Sequence, residues 1–203
     1  MDRIEANNTA RLCGRAAAAP VYSHSSRGLD FFSFPLRVER LSGTADTLNI
    51  LLRREQLDAL EGTERLCVDG EVRSFNSRRS SGARLVITVL ARELSPCAGP
   101  DCNEVALRGT LCKEPVLRTT PMGREICDLM LAVNRHYGRS DYLPCICWGF
   151  TAREAARFTV GTRVRLAGRL QSRGYIKLAP DGPEQRTAFE ISAMELARLE
   201  DSL

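Results

Sequence analysis

An all-β chain of two tandem five-stranded barrels is what this sequence predicts, and three observations carry that expectation. The chain repeats itself at a spacing of 95 residues. Gly14 returns as Gly109, Pro20 as Pro115, Gly28 as Gly123 and Gly43 as Gly138, while Phe34, Leu36, Val38 and Leu48 return as Leu129, Leu131, Val133 and Leu143. All eight pairs share one offset without a gap, and a period of that size suits a small domain and is too long for a solenoid repeat. Apolar residues recur at every second position in short segments, which is the strand period. One helical stretch interrupts each copy at the same place.

The first copy places strands at Leu12, at Phe32, Phe34, Leu36 and Val38, at Leu48, Ile50 and Leu52, at Val68, Gly70 and Val72, and at Leu85, Ile87 and Val89. Residues 56–60 form its helix and Gly62 closes it. The second copy places strands at Val105 and Leu107, at Cys127 to Val133, at Leu143, Cys145 and Cys147, at Val164 and Leu166, and at Phe189 and Ile191. Its helix covers residues 152–158, with Thr151 and Glu154 as a capping-box signature and Gly161 as the stop. Five strands with a helix between the third and fourth describe the OB-fold, a small Greek-key barrel. The expected fold is therefore two tandem OB-folds, each with one short α-helix between strands 3 and 4. Residues 95–102 carry two prolines and break both periodicities. They read as a linker between domain 1 (1–94) and domain 2 (103–196), with a short acidic end at 197–203. The polar segment 179–186 reads as a surface loop within reach of a ligand or another subunit.

Charged residues make up 27% of the 203 and hydrophobic residues 43%, the composition of a soluble globular protein. The formal charge of +4 is unevenly spread. Residues 105–177 hold 13 Arg and Lys against 5 Asp and Glu, residues 178–203 hold 2 against 6, and residues 1–96 hold 14 against 12. A positive field concentrated on the second copy points to a polyanionic partner. No run of 18 apolar residues exists, so no membrane span is expected. The alanines at 16–19 are too short a stretch for a signal core, and a cytoplasmic protein is expected. Eight cysteines are present, but Cys97 with Cys102 and Cys145 with Cys147 lack the two-residue gap of zinc knuckles. They read as free, mostly buried thiols, and no metal or cofactor is expected. His24 and His136 are the only histidines, and no carboxylate cluster has acid–base spacing, so no catalytic residues are assigned.

The binding chemistry follows from strand phase. In the third strand of copy two the odd positions fill the barrel, which turns Tyr142 and Trp148 outward. Tyr137 beside Gly138 and Tyr175 beside Gly174 add two rings near turns. Arg108, Arg118, Arg124, Arg135, Arg139, Arg169, Arg173 and Lys177 surround them. Rings interleaved with cations on a barrel face make a platform for unpaired bases, the rings stacking and the cations tracking phosphates. Each stacked base contributes roughly 1–3 kcal/mol whatever its identity. Taken singly, Tyr175 also reads as a half-buried packing residue, Trp148 as a cover for the helix, and any one Arg as a solvated side chain. At the same offset the first copy replaces Tyr137 by Ser42, Tyr142 by Thr47 and Trp148 by Arg53, and only Phe75 lies near the place of Tyr175. Its cations, Arg53, Arg54, Arg73, Arg78 and Arg79, are read as weak phosphate contacts, or the copy serves in assembly.

These residues resemble the bacterial single-stranded DNA-binding protein family. Residues 103–115 resemble its opening strand, with Gly109 and Pro115. Met122 with Gly123, the strand through Val133, the run from Asp141 and Tyr142 to Trp148 and Gly149, and residues 161–170 follow its pattern. The resemblance covers residues 103–195 well and residues 8–94 more faintly. It implies that Tyr137, Tyr142, Trp148 and Tyr175 are base-stacking residues, and that the protein coats exposed strands in replication, repair or recombination. It further implies a homodimer with four OB-folds in total, a nucleoid-associated place in the cytoplasm, and contacts with replication or repair proteins. Three features depart from the pattern. The loop at 134–141 is short, which reduces the expected site size. Residues 200–203 are a rudimentary acidic tip, and the first copy lacks the rings. The second copy also resembles the primosomal replication protein N family, which implies as an alternative an adaptor combining strand binding with protein docking.

Overall fold

Gly14 and Gly109 give the physical reason for the repeat. A Cβ on Gly14 would meet the Arg37 carbonyl oxygen at 2.3 Å, and one on Gly109 would meet the Ala132 carbonyl oxygen at 2.5 Å. In each copy the first strand closes the barrel by passing directly over a neighbouring backbone, and only glycine leaves room. The computed structural model describes residues 6–79, 82–135, 138–179 and 182–200.

The first barrel contains β1 (Asn8–Ala16), β2 (Val21–Ser26), β3 (Leu29–Glu39), β4 (Ala45–Arg53), a 3-10 helix (Arg54–Leu60), β5 (Arg65–Arg79) and β6 (Gly82–Pro96). The second contains β7 (Cys102–Leu111), β8 (Val116–Thr119), β9 (Glu125–Asn134), β10 (Ser140–Trp148), α1 (Gly149–Ala155), β11 (Arg163–Ala179) and β12 (Gly182–Arg198). The barrels close through β1 on β3 and β7 on β9, and through the parallel pairs β4–β6 and β10–β12. Both are OB-folds. The expected interior phase holds: Phe34, Leu36, Val38, Leu48 and Ile50 are buried in one barrel, and Leu129, Leu131, Leu143, Cys145 and Cys147 in the other. Each large aliphatic side chain so buried contributes roughly 1.5–3 kcal/mol. Among the described residues no helix is long and apolar enough to cross a membrane.

Several sequence expectations are corrected. Strands β2 and β8 are additional hairpin partners of β3 and β9, and every residue in them is exposed, so no apolar alternation announces them. Helix α1 starts at Gly149 with Trp148 as its extended N-cap, so Thr151 lies inside the helix and makes no capping box. The first barrel has a 3-10 helix instead of an α-helix, and there the Gln56 side chain accepts the Arg53 N–H at 2.9 Å. The expected linker shrinks to residues 97–101 because β6 continues through Pro96 and β7 begins at Cys102. Residues 179 and 182–186 are hairpin arms of β11 and β12 rather than loop. Cys13 and Cys67 are joined in a disulfide, so the reading of all eight cysteines as free fails for this pair; Cys97, Cys102, Cys112, Cys127, Cys145 and Cys147 carry free thiols.

The two barrels share one sheet. Strands β1 and β7 pair antiparallel from Asn8 with Leu107 to Cys13 with Cys102, which joins twelve strands into one sheet. Shifting the pair Asn8–Leu107 by the repeat exchanges it for Asn103–Leu12, so the seam is a pseudo-two-fold axis inside one chain. Asn8 and Asn103 do equivalent work beside it. Each side-chain amide donates to a backbone carbonyl and accepts the same residue's N–H, Asn8 at Val72 (2.7 and 2.9 Å) and Asn103 at Leu170 (2.7 and 2.9 Å). They replace ladder bonds just beyond the bulges at Gly70 and Gly168.

Candidate nucleic-acid interface

Trp148 is the last residue of β10. Strand phase turns it outward, and its indole Nε1 donates to the Ser192 hydroxyl of β12 at 3.3 Å, leaving the side chain 38% exposed. It lines a cleft of about 650 Å³ together with Ile146, Arg118, Arg173 and Glu190. Arg40 and Thr44 of the first barrel complete the wall. No sequence pattern pointed to these two, because they reach the site across the seam. Tyr142 shares the outward phase of β10 and is 51% exposed, while Tyr175 on the β11–β12 hairpin is 38% exposed. Both tyrosines are therefore accessible. Tyr137 lies outside the described residues, and so does the side chain of Lys177.

The arginines divide into groups. Arg173 is exposed in the cleft, and Arg124 and Arg139 are exposed in turns next to β9 and β10. Arg118 reaches the cleft, but its Nε and NH2 donate to the two carboxylate oxygens of Asp128, the NH2 bond at 3.1 Å, and that hydrogen bonding holds its pKa above the usual value. Arg135 is not available to a phosphate: its Nε donates to Asp141 at 2.8 Å and its NH2 to the Ser74 carbonyl at 2.8 Å. Arg169 is half-buried, with its Nε buried and without a hydrogen-bond partner among the described residues. Arg108 lies on β7 opposite Arg165 of β11, and it is not among the residues that line the Trp148 cleft.

Backbone anchoring places Tyr142. The Ser74 hydroxyl accepts the Tyr142 N–H at 2.7 Å, and Asp141, fully buried, accepts the Ser74 N–H at 2.6 Å and Arg73 at 3.0 Å. Burial lowers the pKa of Arg73, and the hydrogen bond to Asp141 opposes that shift. The ring is thus carried on a strand pinned by the other barrel.

The first barrel is less bare than its sequence suggests. Ser74 and Ser172 make equivalent contacts, which makes their successors Phe75 and Arg173 equivalent too. Where the second barrel has Trp148 and Arg173, the first has Arg53 and Phe75, so ring and cation have traded places. Phe75 is 51% exposed and lines a cleft of about 440 Å³ with Val21, His24, Leu51 and Thr88, the counterpart of the Trp148 cleft. His24 and Phe31 stack beside it, with ring centroids 5.0 Å apart.

Paired OB-fold barrels with open clefts bearing half-exposed rings and exposed guanidinium groups define the class of OB-fold binding proteins. Residues 102–199 match the profile of the Single-strand binding protein family. The chain is 34% identical over 105 residues to a single-stranded DNA-binding protein of Clostridium tetani, a match spanning 48% of this chain and 70% of that protein. It is 38% identical over 80 residues to single-stranded DNA-binding protein B of Bacillus subtilis, covering 36% of this chain and 71% of that protein. A third relative, single-stranded DNA-binding protein 2 of Listeria innocua, is 38% identical over 80 residues, and half of its length is matched. The wild-type single-stranded DNA-binding protein from Thermus aquaticus superimposes with a TM-score of 0.77 over 97% of this chain and 94% of that one, at 22% identity. The chain belongs to the single-strand binding protein family.

Proposed function

We propose that this chain is a sequence-nonspecific single-stranded DNA-binding protein that protects or organises exposed strands in replication, repair or recombination. The observation that carries this reading is Trp148, an outward indole half-exposed in a cleft beside Arg173. Trp148, Tyr142 and Tyr175 stack bases, while Arg173, Arg124 and Arg139 meet phosphates. Duplex DNA hides its base faces, so the surface prefers unpaired strands. Arg118 contributes when its pairing with Asp128 relaxes, and Arg135 acts by holding Asp141 instead of touching DNA. The first-barrel cleft at Phe75 extends the path with a second, more apolar contact. The protein acts without catalysis, as a homodimer in the cytoplasm, alongside replication or repair proteins.

Trp148 is the single tryptophan, so its fluorescence reports on the site directly. Titration with oligo-dT should quench it. Trp148→Ala should weaken binding by about 5- to 150-fold, the equivalent of the roughly 1–3 kcal/mol of one stacked base, when followed by anisotropy of labelled oligo-dT. Unchanged affinity in that variant sinks the platform.

A further inference from the structure

Four cysteines from distant parts of the sequence meet at one corner of the seam. Cys13 of β1 stands directly opposite Cys67 of β5 on one side and Cys102 of β7 on the other. Directly opposed partners in antiparallel strands point to the same face, so all three side chains leave the sheet together. The alternate residues Leu12, Leu66 and Val68 fill the barrel, which makes the cysteine face the outer one. Cys97 lies over it at the start of the connection between β6 and β7. The Sγ atoms of Cys13, Cys67 and Cys97 all lie within 4.8 Å of one another.

That connection is held in place. The Cys97 N–H donates to the Arg65 carbonyl at 3.0 Å. The Arg65 guanidinium donates to the Gly99 carbonyl and pairs with Asp101, both at 2.7 Å, and Asp101 also accepts the Glu39 N–H at 2.6 Å. Cys97 is therefore presented to the other two sulfurs by a fixed loop, with a cation beside it.

We propose that, once the Cys13–Cys67 disulfide is reduced, Cys13, Cys67 and Cys97 form a thiolate site for a thiophilic divalent cation of the zinc class, with Cys102 in the fourth position. Tetrahedral coordination with metal–sulfur bonds of about 2.3 Å puts sulfurs roughly 3.8 Å apart, inside the span these three already keep. The thiol of Cys102 makes a long bond, 3.8 Å, to the Arg11 carbonyl, which a metal readily replaces. Loading takes two steps. A dithiol reductant passes two electrons and two protons to the Cys13–Cys67 bond and becomes a disulfide itself. The cation then displaces one proton from each coordinating thiol to solvent, and the positive charge of Arg65 offsets part of the charge the thiolates gain. Metal and disulfide exclude each other, so the corner has two closed states. The second barrel has Arg108, Arg165 and Asn7 at the equivalent positions, so the site exists once per chain.

The test uses the full chain, reduced with dithiothreitol and then freed of it without air. Alkylation in denaturant followed by mass measurement should count eight free thiols. Cobalt(II), added alone as the probe, should then give a thiolate-to-cobalt charge-transfer band that saturates at one ion per chain. Cys97→Ser, on a surface connection, should weaken cobalt binding at least tenfold, and Cys102→Ser should weaken it as well. Cys112→Ser should leave it unchanged. A count that stays at six under native reduction, no band at one equivalent, or an undiminished band in Cys97→Ser each overturns the proposal.

Discussion

Asp46 and Asp141 each serve the barrel they do not belong to. They stand 95 residues apart at the same place in the repeat, and both are fully buried. Asp46 takes Arg40 of its own barrel at 2.7 and 2.6 Å and accepts the Ser172 N–H of the other barrel at 2.8 Å. Asp141 takes Arg135 of its own barrel and accepts the Ser74 N–H of the other. The reciprocal serine hydroxyls then accept the N–H groups of Thr47 and Tyr142, at 3.1 and 2.7 Å. Two buried carboxylates thus fix how the barrels sit against each other, and through Tyr142 they also fix one wall of the binding surface.

Asp141→Asn should therefore be strongly destabilising. The amide keeps one acceptor but turns an NH2 toward Arg73 and Arg135, so Arg135 loses its carboxylate and Arg73 is left with Glu71 alone. Removing one partner of a buried pair typically costs about 3–5 kcal/mol, and urea denaturation should register a loss of that order. Asp46→Asn, facing Arg40 and with no second arginine, should lose less. A loss under about 1 kcal/mol at Asp141 would mean the barrels do not depend on this contact.

The arginines should separate by the kind of measurement they affect. Arg173→Ala removes an exposed cation from the cleft, so the slope of log affinity against log salt should shrink by about 0.7, with stability unchanged. Arg135→Ala should behave oppositely, lowering stability through Asp141 while leaving the salt slope of the folded protein intact. Equal salt slopes for wild type and Arg173→Ala would remove Arg173 from the DNA path.

The difference between these two arginines could not be read along the chain. Strand phase alone announced that Leu143, Cys145 and Cys147 face inward and that Tyr142 and Trp148 face outward, because a period of two is a local property. Besides Asp141, Arg135 is held by the Ser74 carbonyl, 61 residues away in the other barrel, and no local pattern marks such a contact. Strands β2 and β8 were invisible for a related reason: with both faces in solvent, neither had to alternate. The exchange of Phe75 with Arg173 was hidden by register. The offset is 95 as far as Asp46 and Asp141 but 98 at Ser74 and Ser172, since the second copy is three residues longer around its helix. The cysteine corner was hidden by distance, since Cys13, Cys67 and Cys97 come from three separate segments.

Alkaline pH should expose the buried thiols. Burial is the main cause pushing Cys147 up to about 12, and it raises Cys145 as well. A thiol whose folded pKa exceeds its unfolded value near 8.5 keeps its proton in the fold while the unfolded chain loses it. Its stabilising contribution is complete below about pH 8.5 and falls away as pH rises toward 12. Wild type should lose stability between pH 8.5 and 11 more steeply than Cys147→Ala. At pH 8.5 iodoacetamide should spare Cys145 and Cys147 until denaturant is added. Rapid labelling of Cys147 in the folded protein would show that the barrel interior is open to solvent.

Gly109→Ala tests the closure of the second barrel. The added methyl would sit 2.5 Å from the Ala132 carbonyl oxygen and 2.9 Å from the Leu131 side chain. The carbonyl belongs to the ladder, so it cannot swing aside as a side chain could, and β7 and β9 have to separate. Overpacking of this kind costs about 1–3 kcal/mol. Gly174→Ala is the matched control, because its Cβ would meet nothing within 4 Å. There the substitution should be neutral or slightly stabilising, by reducing the freedom of the unfolded chain. Thermal denaturation of the two variants should thus differ in sign or nearly so. Equal melting temperatures would show that β7 and β9 yield at Gly109, and that the repeated glycine is not what holds the barrel closed.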